Sequence, residues 1–152
     1  MNTEQDEKTV RNPKTPILFV DDDPMAHKIV KNHLKEWNVI FVYSGEDALD
    51  ILSKGQVAIV VSDINMPGIS GIELLRRIRK KHSMVQVIIV TASEDTEHLL
   101  HAFEAGASDF LLKPLKRADI EDALLNASSR VDRWKKVMKD LFKRRVTRKA
   151  DG

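Results

Sequence analysis

The sequence has 152 residues, of which 42% are hydrophobic and none is cysteine. This length fits one domain with a modest extension, and the apolar share is sufficient for one core. The lack of cysteine excludes a disulfide scaffold, a zinc–thiolate site and thiol catalysis, and it fits a reducing compartment. The longest apolar runs, at 57–61 and 85–90, are too short to cross a bilayer. Because the N-terminus also lacks a signal-peptide pattern, we expect a soluble cytoplasmic protein with no membrane contact.

The charge is distributed unevenly along the chain. The net charge is +2, but residues 130–152 contain ten Lys or Arg and three Asp, which gives +7 there and leaves −5 on residues 1–129. An acidic body followed by a basic tail indicates that residues 1–129 and 130–152 are separate structural units. We therefore predict a flexible leader over 1–15, a folded domain over 16–129 and a basic helical extension over 130–152.

Five short apolar runs alternate with five helical patterns. The first run, 17–20, is continuously apolar and stops at Asp21, as is typical of a strand buried on both faces. Further strands are predicted at 39–43, 57–61, 86–90 and 109–112, and helices at 25–37, from 44 onward, at 71–81, at 94–105 and from about 116. Ser44 with Asp47 resembles a capping box, and Gly106 suits a helix C-cap. The alternation predicts an α/β fold with a doubly wound parallel sheet.

Polar side chains follow four of these strands. Acidic residues 21–23 follow the first strand, Asp63 ends the third, Thr91 and Ser93 follow the fourth, and Lys113 follows the fifth. Ligands of open α/β sheets bind at the carboxyl ends of the strands, so these groups should converge there. Clustered carboxylates call for a cation, and Mg²⁺ prefers hard oxygen ligands and bridges to phosphate. A carboxylate in such a place can act as a nucleophile and form an acyl phosphate.

Five segments resemble the receiver domain of two-component response regulators, in order and in spacing. They are FVDDDP at 19–24, SDINMPG at 62–68, TAS at 91–93, GAS at 106–108 and LKP at 112–114. The resemblance extends from about Thr15 to Ala127 and is to regulators of the chemotaxis type. It implies a flavodoxin-like (βα)5 fold with strand order 2-1-3-4-5, here with an extended last helix. It also implies a phosphoprotein in a phosphorelay, without enzymatic turnover beyond slow loss of its own phosphoryl group.

The resemblance assigns roles to the residues at the strand ends. Asp63 would be the phosphoacceptor. Asp22 would bind Mg²⁺ directly and Asp21 through a water molecule, with the backbone carbonyl of Asn65 completing the protein's share of the ligands. Lys113 would pair with Asp63 and later with a phosphoryl oxygen.

The resemblance also implies a switch and partners. Thr91 would move toward the phosphate and Phe110 would turn inward behind it. Phe110 stands where the family often has Tyr, so the switch would work through packing. Pro114 would follow a cis peptide bond. A sensor histidine kinase or a phosphotransfer protein would approach near the first helix, and Asn65 and Ser93 would set the lifetime of the phosphorylated form.

The last helix carries an apolar stripe that continues into the basic tail. Its residues are spaced alternately by four and three, as in a coiled coil: Ile120, Leu124, Ala127, Val131, Trp134, Met138 and Leu141. The pattern predicts that the stripe from Val131 onward lies beyond the domain body, and a parallel dimer through 120–141 is our first hypothesis. Folding back onto the domain and packing on a downstream domain are the alternatives. Without a helix-turn-helix pattern or an aromatic platform, direct nucleic-acid binding is not expected.

Other interpretations compete with the signalling one. An Asp-nucleophile phosphatase of the haloacid dehalogenase type needs a further acidic pair at a strand end after the lysine, whereas only a helical pattern follows Lys113. The cap insertion of such enzymes is missing too. A purely structural adaptor would not need every residue type of the acceptor site. His98 and His101 have the spacing of a metal-binding pair but no third ligand, and we assign no role to His27, His33 or His82.

Overall fold

The computed structural model describes residues 15–92, 94 and 96–152. Most of the predicted leader, 1–14, and Ser93 lie outside the described residues. Five strands alternate with five helices. The strands are β1 (Ile17–Val20), β2 (Val39–Val42), β3 (Ile59–Asp63), β4 (Gln86–Thr91) and β5 (Asp109–Leu112). The helices are α1 (Pro24–His33), α2 (Gly45–Ser53), α3 (Gly71–Lys81), α4 (Thr96–Glu104) and α5 (Arg117–Ala150).

The strands form one parallel sheet in the order β2-β1-β3-β4-β5. This confirms the predicted doubly wound fold and its strand order. Several element boundaries differ from the prediction by one to four residues, most of all those of α1 and β3. Helix α1 ends at His33 because Leu34 leaves the helical conformation, and β3 runs two residues further than expected, to Asp63.

Each face of the sheet is covered by a separate apolar layer. Helices α2, α3 and α4 contribute to one layer, in which Leu52, Leu75 and Ala102 are buried. Helices α1 and α5 contribute to the other, in which Val30 and Leu124 are buried. All four residues of β1 are buried, so its continuous apolar run is explained by helices on both faces.

Side-chain caps fix the helix N-termini near the carboxyl edge of the sheet. The Ser44 hydroxyl accepts a hydrogen bond from the backbone N–H of Asp47 at 3.1 Å, as predicted. The Ser70 hydroxyl accepts one from the N–H of Glu73 at 3.2 Å. Such caps satisfy N–H groups that have no partner within the helix.

Gly106 ends the α4 segment as its sequence predicts. Its φ is 92°, and its N–H donates to the Phe103 carbonyl at 3.0 Å while the Ala107 N–H donates to that of Ala102 at 2.9 Å. This is the double hydrogen bond of a Schellman motif, in which glycine is favoured because φ is positive.

Helix α5 is one uninterrupted element of 34 residues, which is about 50 Å long. Its stripe residues from Ile120 to Val131 are buried in the layer shared with α1, whereas Trp134, Met138 and Leu141 are exposed. The expectation that the stripe leaves the body at Val131 was therefore wrong at that residue, since Val131 is only 7% exposed. Among the described residues, no helix is long and apolar enough to span a membrane.

Candidate functional site

Three carboxylates meet where β1 and β3 end. These neighbouring strands pair in register, with Val20 opposite Ser62, so the acids that follow them reach the same edge of the sheet. Carboxylate oxygens of Asp21, Asp22 and Asp63 all lie within 4.8 Å of one another. Asp21 and Asp63 are buried, whereas Asp22 is exposed. The structure thus brings together the acidic residues that the sequence singled out.

Lys113 links two of these carboxylates. It follows β5, two strands away from β3 in the sheet, and its backbone N–H donates to the Thr91 carbonyl at 2.8 Å. Its ammonium group lies 2.9 Å from Asp21 Oδ2 and 3.4 Å from Asp63 Oδ1. The predicted partner was Asp63, so the shorter contact with Asp21 is additional. The Lys113–Pro114 peptide bond is cis, as expected.

Burial and charge act on this site in opposite directions. Burial raises the pKa of Asp63, and the negative charge of Asp21 also raises it, while Lys113 lowers it by charge and hydrogen bonding. Burial alone would lower the pKa of Lys113, but the hydrogen bond with Asp21 and the charges of Asp63 and Asp21 outweigh it and raise the pKa. Lys113 is therefore held in its charged form between two acids.

The third acid of the triplet has a different role. Asp23 is the N-cap of α1, and its side chain accepts a hydrogen bond from the Met25 N–H at 3.0 Å. Its own N–H donates to Asp21 Oδ1 at 2.9 Å. Asp23 thus points to the helix and holds the Asp21 side chain, which leaves Asp21 and Asp22 to face Asp63.

The remaining predicted residues lie on β4, on β5 and in the loop after β3. Thr91 is fully buried at the end of β4, next to the strand that carries Asp63. Phe110 pairs with Ile89 in the register of β4 and β5 and packs, partly buried, against the apolar layer of α2, α3 and α4. Side chains alternate along a strand, so Thr91 and Ile89 share that face of the sheet. Asn65 is exposed, two residues beyond Asp63.

His27, which the sequence did not indicate as a site residue, also contacts this site. This side chain is buried, and its Nε2 lies 2.6 Å from the carbonyl oxygen of Asp21. A carbonyl oxygen only accepts, so Nε2 carries the proton and donates it. The ring stacks on Tyr43 at 4.1 Å and meets Phe19 edge-on at 5.4 Å. In the sequence, the only indication of this contact is that His27 follows Asp21 by six residues. This spacing brings the two together only because the chain turns into α1 between them.

Gly71, which the sequence indicated only as the first residue of a helix, also shapes the site. A Cβ there would collide with the backbone of Asp63 and Ile64, and the Gly71 N–H donates to the Ile64 carbonyl at 2.8 Å. The loop after β3 therefore returns tightly onto the strand end that carries Asp63. Only glycine permits this approach.

A cavity of about 350 Å³ opens beside Lys113, between the start of α1 and the β5–α5 connection. Met25, Ile29, Pro114 and Leu115 give it a mainly apolar lining. Met25 is largely exposed. Across this connection, His33 Nε2 lies 3.0 Å from the Leu115 carbonyl. The acids thus lie beside an open apolar surface.

The carboxylates of Asp21, Asp22 and Asp63, called here the acidic edge, fit Mg²⁺. Hard carboxylate oxygens are the ligands that this ion prefers, and it needs only one or two of them besides water. Asp22 is exposed to solvent at the rim of the cluster, so an ion bound there would keep water ligands. His98 and His101 lie elsewhere, along a cleft between α3 and α4 with Arg76.

Comparison with known proteins agrees with this architecture. The family model described as response regulator receiver domain matches residues 17–125. The chain therefore belongs to the response regulator receiver domain family, the receiver domains of two-component systems.

Two curated relatives illustrate the family. The chain is 34% identical over 122 residues to chemotaxis protein CheY-3 of Vibrio cholerae, covering 77% of this chain and 94% of that protein. It is 39% identical over 116 residues to a cyclic di-GMP phosphodiesterase of Thermotoga maritima, covering 72% of this chain. The chain spans only 31% of the length of that phosphodiesterase.

Solved structures show the same fold. A response regulator receiver domain protein from Clostridium thermocellum is 28% identical, with a TM-score of 0.72 and coverage of 81% of this chain and 98% of that one. The receiver domain of a putative LuxO repressor protein from Vibrio parahaemolyticus is 23% identical, with a TM-score of 0.76 and coverage of 81% and 96%. The second likeness bears on the fold alone.

Proposed function

We propose that Asp63 accepts a phosphoryl group in a Mg²⁺-dependent reaction and that the modified domain signals through the surface formed by α4, β5 and α5. The observation that carries this proposal is the ammonium group of Lys113 between Asp21 and Asp63, at 2.9 and 3.4 Å. A cation so placed can pair with the acceptor before transfer and with a phosphoryl oxygen afterwards.

The transfer itself needs an acceptor oxygen with an open approach. Asp63 ends β3 beside the exposed Asp22, so a donor phosphate can reach the acidic edge from solvent. An Asp63 oxygen forms a new P–O bond while the P–N bond to a donor imidazole breaks, and the imidazole keeps the electron pair and takes up a proton. Lys113 balances charge on the phosphoryl oxygens, because its pKa is raised and it remains protonated.

Asp22, Asp63 and the backbone carbonyl of Asn65 would hold the metal ion, with Asp21 contributing through water. When bound, Mg²⁺ supplies charge neutralisation at the phosphoryl oxygens. The residues of the chain provide the rest of the arrangement. His27 and the Asp23 N–H hold the backbone and side chain of Asp21, and Gly71 keeps the loop with Asn65 close to Asp63.

The apolar cavity beside Lys113 is suited to the protein that donates the phosphoryl group. Met25 and Ile29 on α1 and Leu115 after β5 line it, and an apolar helix face of a partner would fit such a surface. A sensor histidine kinase or a phosphotransfer protein that docks there brings its phosphohistidine next to the acids.

The signal would leave the site through Thr91 and Phe110. Thr91 is buried at the end of β4 next to β3, and a hydroxyl drawn toward a phosphoryl oxygen leaves space on that face of the sheet. Phe110 lies along the same face and has no hydroxyl, so its response is one of packing. The positions of Thr91 and Phe110 before and after phosphorylation are thus two states of one element, and phosphorylation shifts the equilibrium between them.

Turnover of external substrates is not part of this proposal. Among the described residues, α5 comes directly after the segment with Lys113 and Pro114, and the described strands do not offer the second acidic pair that an Asp-nucleophile phosphatase uses after its lysine. The phosphodiesterase activity in the name of the Thermotoga relative belongs to a protein of which this chain matches 31%. We expect no cleavage of phosphate esters beyond slow self-dephosphorylation.

Incubation with Mg²⁺ and acetyl phosphate, followed by intact-mass measurement, tests the acceptor. We expect a mass increase of one phosphoryl group, lost with EDTA and absent in Asp63→Asn. Asp50→Asn is the matched control, since Asp50 is an exposed acid paired with Lys54 on α2. Modification of Asp63→Asn to the same extent as wild type would refute the assignment. Hydrogen exchange of α4 and β5, with and without beryllofluoride, then tests the output surface.

A further inference from the structure

The end of α5 exposes a wide apolar face. Beyond Val131 this helix projects from the body by about 28 Å. The exposed residues, called here the tail stripe, are Trp134, Val137, Met138, Leu141, Phe142 and Val146. In helical projection they cover about half of the helix surface. A face this wide and apolar, on an element with no neighbour in the described chain, indicates a binding surface.

A parallel pair of tails does not suit this stripe. Four of the seven residues in the predicted seam, from Ile120 to Val131, are buried in their own domain. Continuing the heptad places Arg145 and Arg148 at the next two seam positions, where two copies would bring like charges together. Residues 132–151 contain nine Lys or Arg and three Asp, a net charge of +6. Two such helices side by side repel each other.

The body of the protein carries a complementary surface on α4 and β5. Leu99, Phe103 and Leu112, called here the edge patch, are exposed, and Phe103 is 78% exposed. Leu99 and Phe103 are one helical turn apart and lie away from His98 and His101, which line the cleft toward α3. They therefore face the side of the β5 edge. Leu112 shares the face of β5 with Phe110, which packs on the α4 side of the sheet.

The charges of the two surfaces are opposite. Residues 94–112, the segment that carries the edge patch, contain five Asp or Glu and no Lys or Arg, so this segment has a net charge of −5. The tail stripe, by contrast, is bordered by lysine and arginine. An apolar face with a basic border matches an apolar patch in an acidic segment.

We propose that the tail stripe of one copy binds the edge patch of a second copy, and that the second tail returns the contact. Helix α5 has no Gly or Pro between Arg117 and Ala150, so a tail cannot bend back to the α4 of its own chain. The contact must therefore form between chains. Two equal contacts give a closed twofold dimer. Its interface includes α4 and β5, so the proposal adds a dimer contact to the proposed signalling surface, but it does not require phosphorylation.

Two single variants and their mixture test this arrangement. Phe103→Lys alters the patch, and Leu141→Lys alters the stripe; both side chains are exposed, so the fold should persist. We expect wild type to form a dimer of the 17.3 kDa chain in analytical ultracentrifugation. Each variant should dimerise at least about tenfold more weakly. A 1:1 mixture should recover dimers, because one intact stripe then meets one intact patch.

Met84→Lys changes an exposed apolar residue outside both surfaces and should leave the dimer unchanged. If Phe103→Lys dimerises like wild type while Leu141→Lys does not, the tails pair with each other and the proposal is wrong. A monomeric wild type that binds vesicles containing anionic lipid would assign the stripe to a membrane surface and would also overturn it.

Salt provides an independent measurement with a predicted sign. The proposed contact joins a basic surface to an acidic one, so raising NaCl from about 50 to 500 mM should weaken the dimer several-fold. A parallel pair of tails would respond in the opposite direction, because screening reduces repulsion between like charges. Dimers of wild type that tighten with salt would contradict the proposal.

Discussion

Lys113 lies closer to Asp21 than to Asp63, with Nζ–Oδ distances of 2.9 and 3.4 Å. The lysine therefore neutralises the most buried acid of the site while it remains within reach of the acceptor. Asp21 is 1% exposed, and burial of a carboxylate without a charged partner is costly. Lys113 thus has a structural function in addition to its proposed contact with a phosphoryl group.

Replacing Lys113 by Met should destabilise the metal-free protein by about 1–3 kcal/mol, because the carboxylates of Asp21 and Asp63 lose their common cation. The loss should shrink at low pH, where Asp63, whose pKa is raised by burial, is protonated, and in Mg²⁺, which replaces part of the charge. Urea unfolding with and without Mg²⁺ measures both effects. Lys35→Met, at an exposed position, serves as control. A loss of stability that is equal at pH 3.5 and pH 7 would contradict this account.

Asp63→Asn should change stability in a pH-dependent way. Burial raises the pKa of Asp63 above its ordinary value of 3.8, so the folded protein binds that proton more tightly than the unfolded chain does. As pH rises from 3.8 through the raised pKa, wild type loses stability that the variant keeps. At pH 7 without Mg²⁺, the variant should be more stable by roughly 0.5–1.5 kcal/mol.

Mg²⁺ should make wild type the more stable of the two proteins, because the ion binds the carboxylate of Asp63 more strongly than the amide of the variant. Chemical denaturation at pH 4 and pH 7 measures the difference in unfolding free energy. A variant less stable than wild type at pH 7 in EDTA would show that burial does not dominate at Asp63.

Local sequence patterns correctly placed an acid at the end of β3 and caps at the start of α2 and the end of α4. Asp63, Ser44 and Gly106 are found where their neighbours in the chain place them, because each follows from the end of a strand or helix. The fate of the α5 stripe was not predictable in the same way. The spacing of Leu124 and Val131 is the same for a helix packed on its own sheet as for a coiled-coil seam. Only the burial of Val131 in the layer shared with α1 distinguishes them.

Gly71→Ala should destabilise the protein by about 2–4 kcal/mol, because the added methyl group would displace the backbone of Asp63 or Ile64. The displacement falls on the acceptor itself, so Mg²⁺ affinity and phosphorylation by acetyl phosphate should both decrease. Gly55→Ala is the matched control, since its Cβ would meet open space and only its φ of 76° costs about 1 kcal/mol. Equal phosphorylation rates in the two variants would contradict this role for Gly71.

His27→Phe should weaken Mg²⁺ binding several-fold. The phenyl ring keeps the stacking with Tyr43 and the edge contact with Phe19, but it cannot donate to the Asp21 carbonyl, which His27 reaches at 2.6 Å. An unsatisfied buried carbonyl costs about 1–3 kcal/mol, and the freed backbone carries Asp21 and Asp22. Isothermal titration calorimetry with MgCl₂ measures the affinity, and urea unfolding measures the stability.

Tyr43→Phe is the matched control, because it changes the ring that stacks on His27 and leaves the hydrogen bond from His27 to the Asp21 carbonyl in place. It should bind Mg²⁺ like wild type. If His27→Phe loses stability but binds Mg²⁺ with unchanged affinity, His27 supports the core of α1 and does not position the acidic edge. If Tyr43→Phe loses as much affinity as His27→Phe, although it leaves the hydrogen bond from His27 to the Asp21 carbonyl in place, loss of that hydrogen bond does not explain the weaker binding and the role given to His27 is wrong.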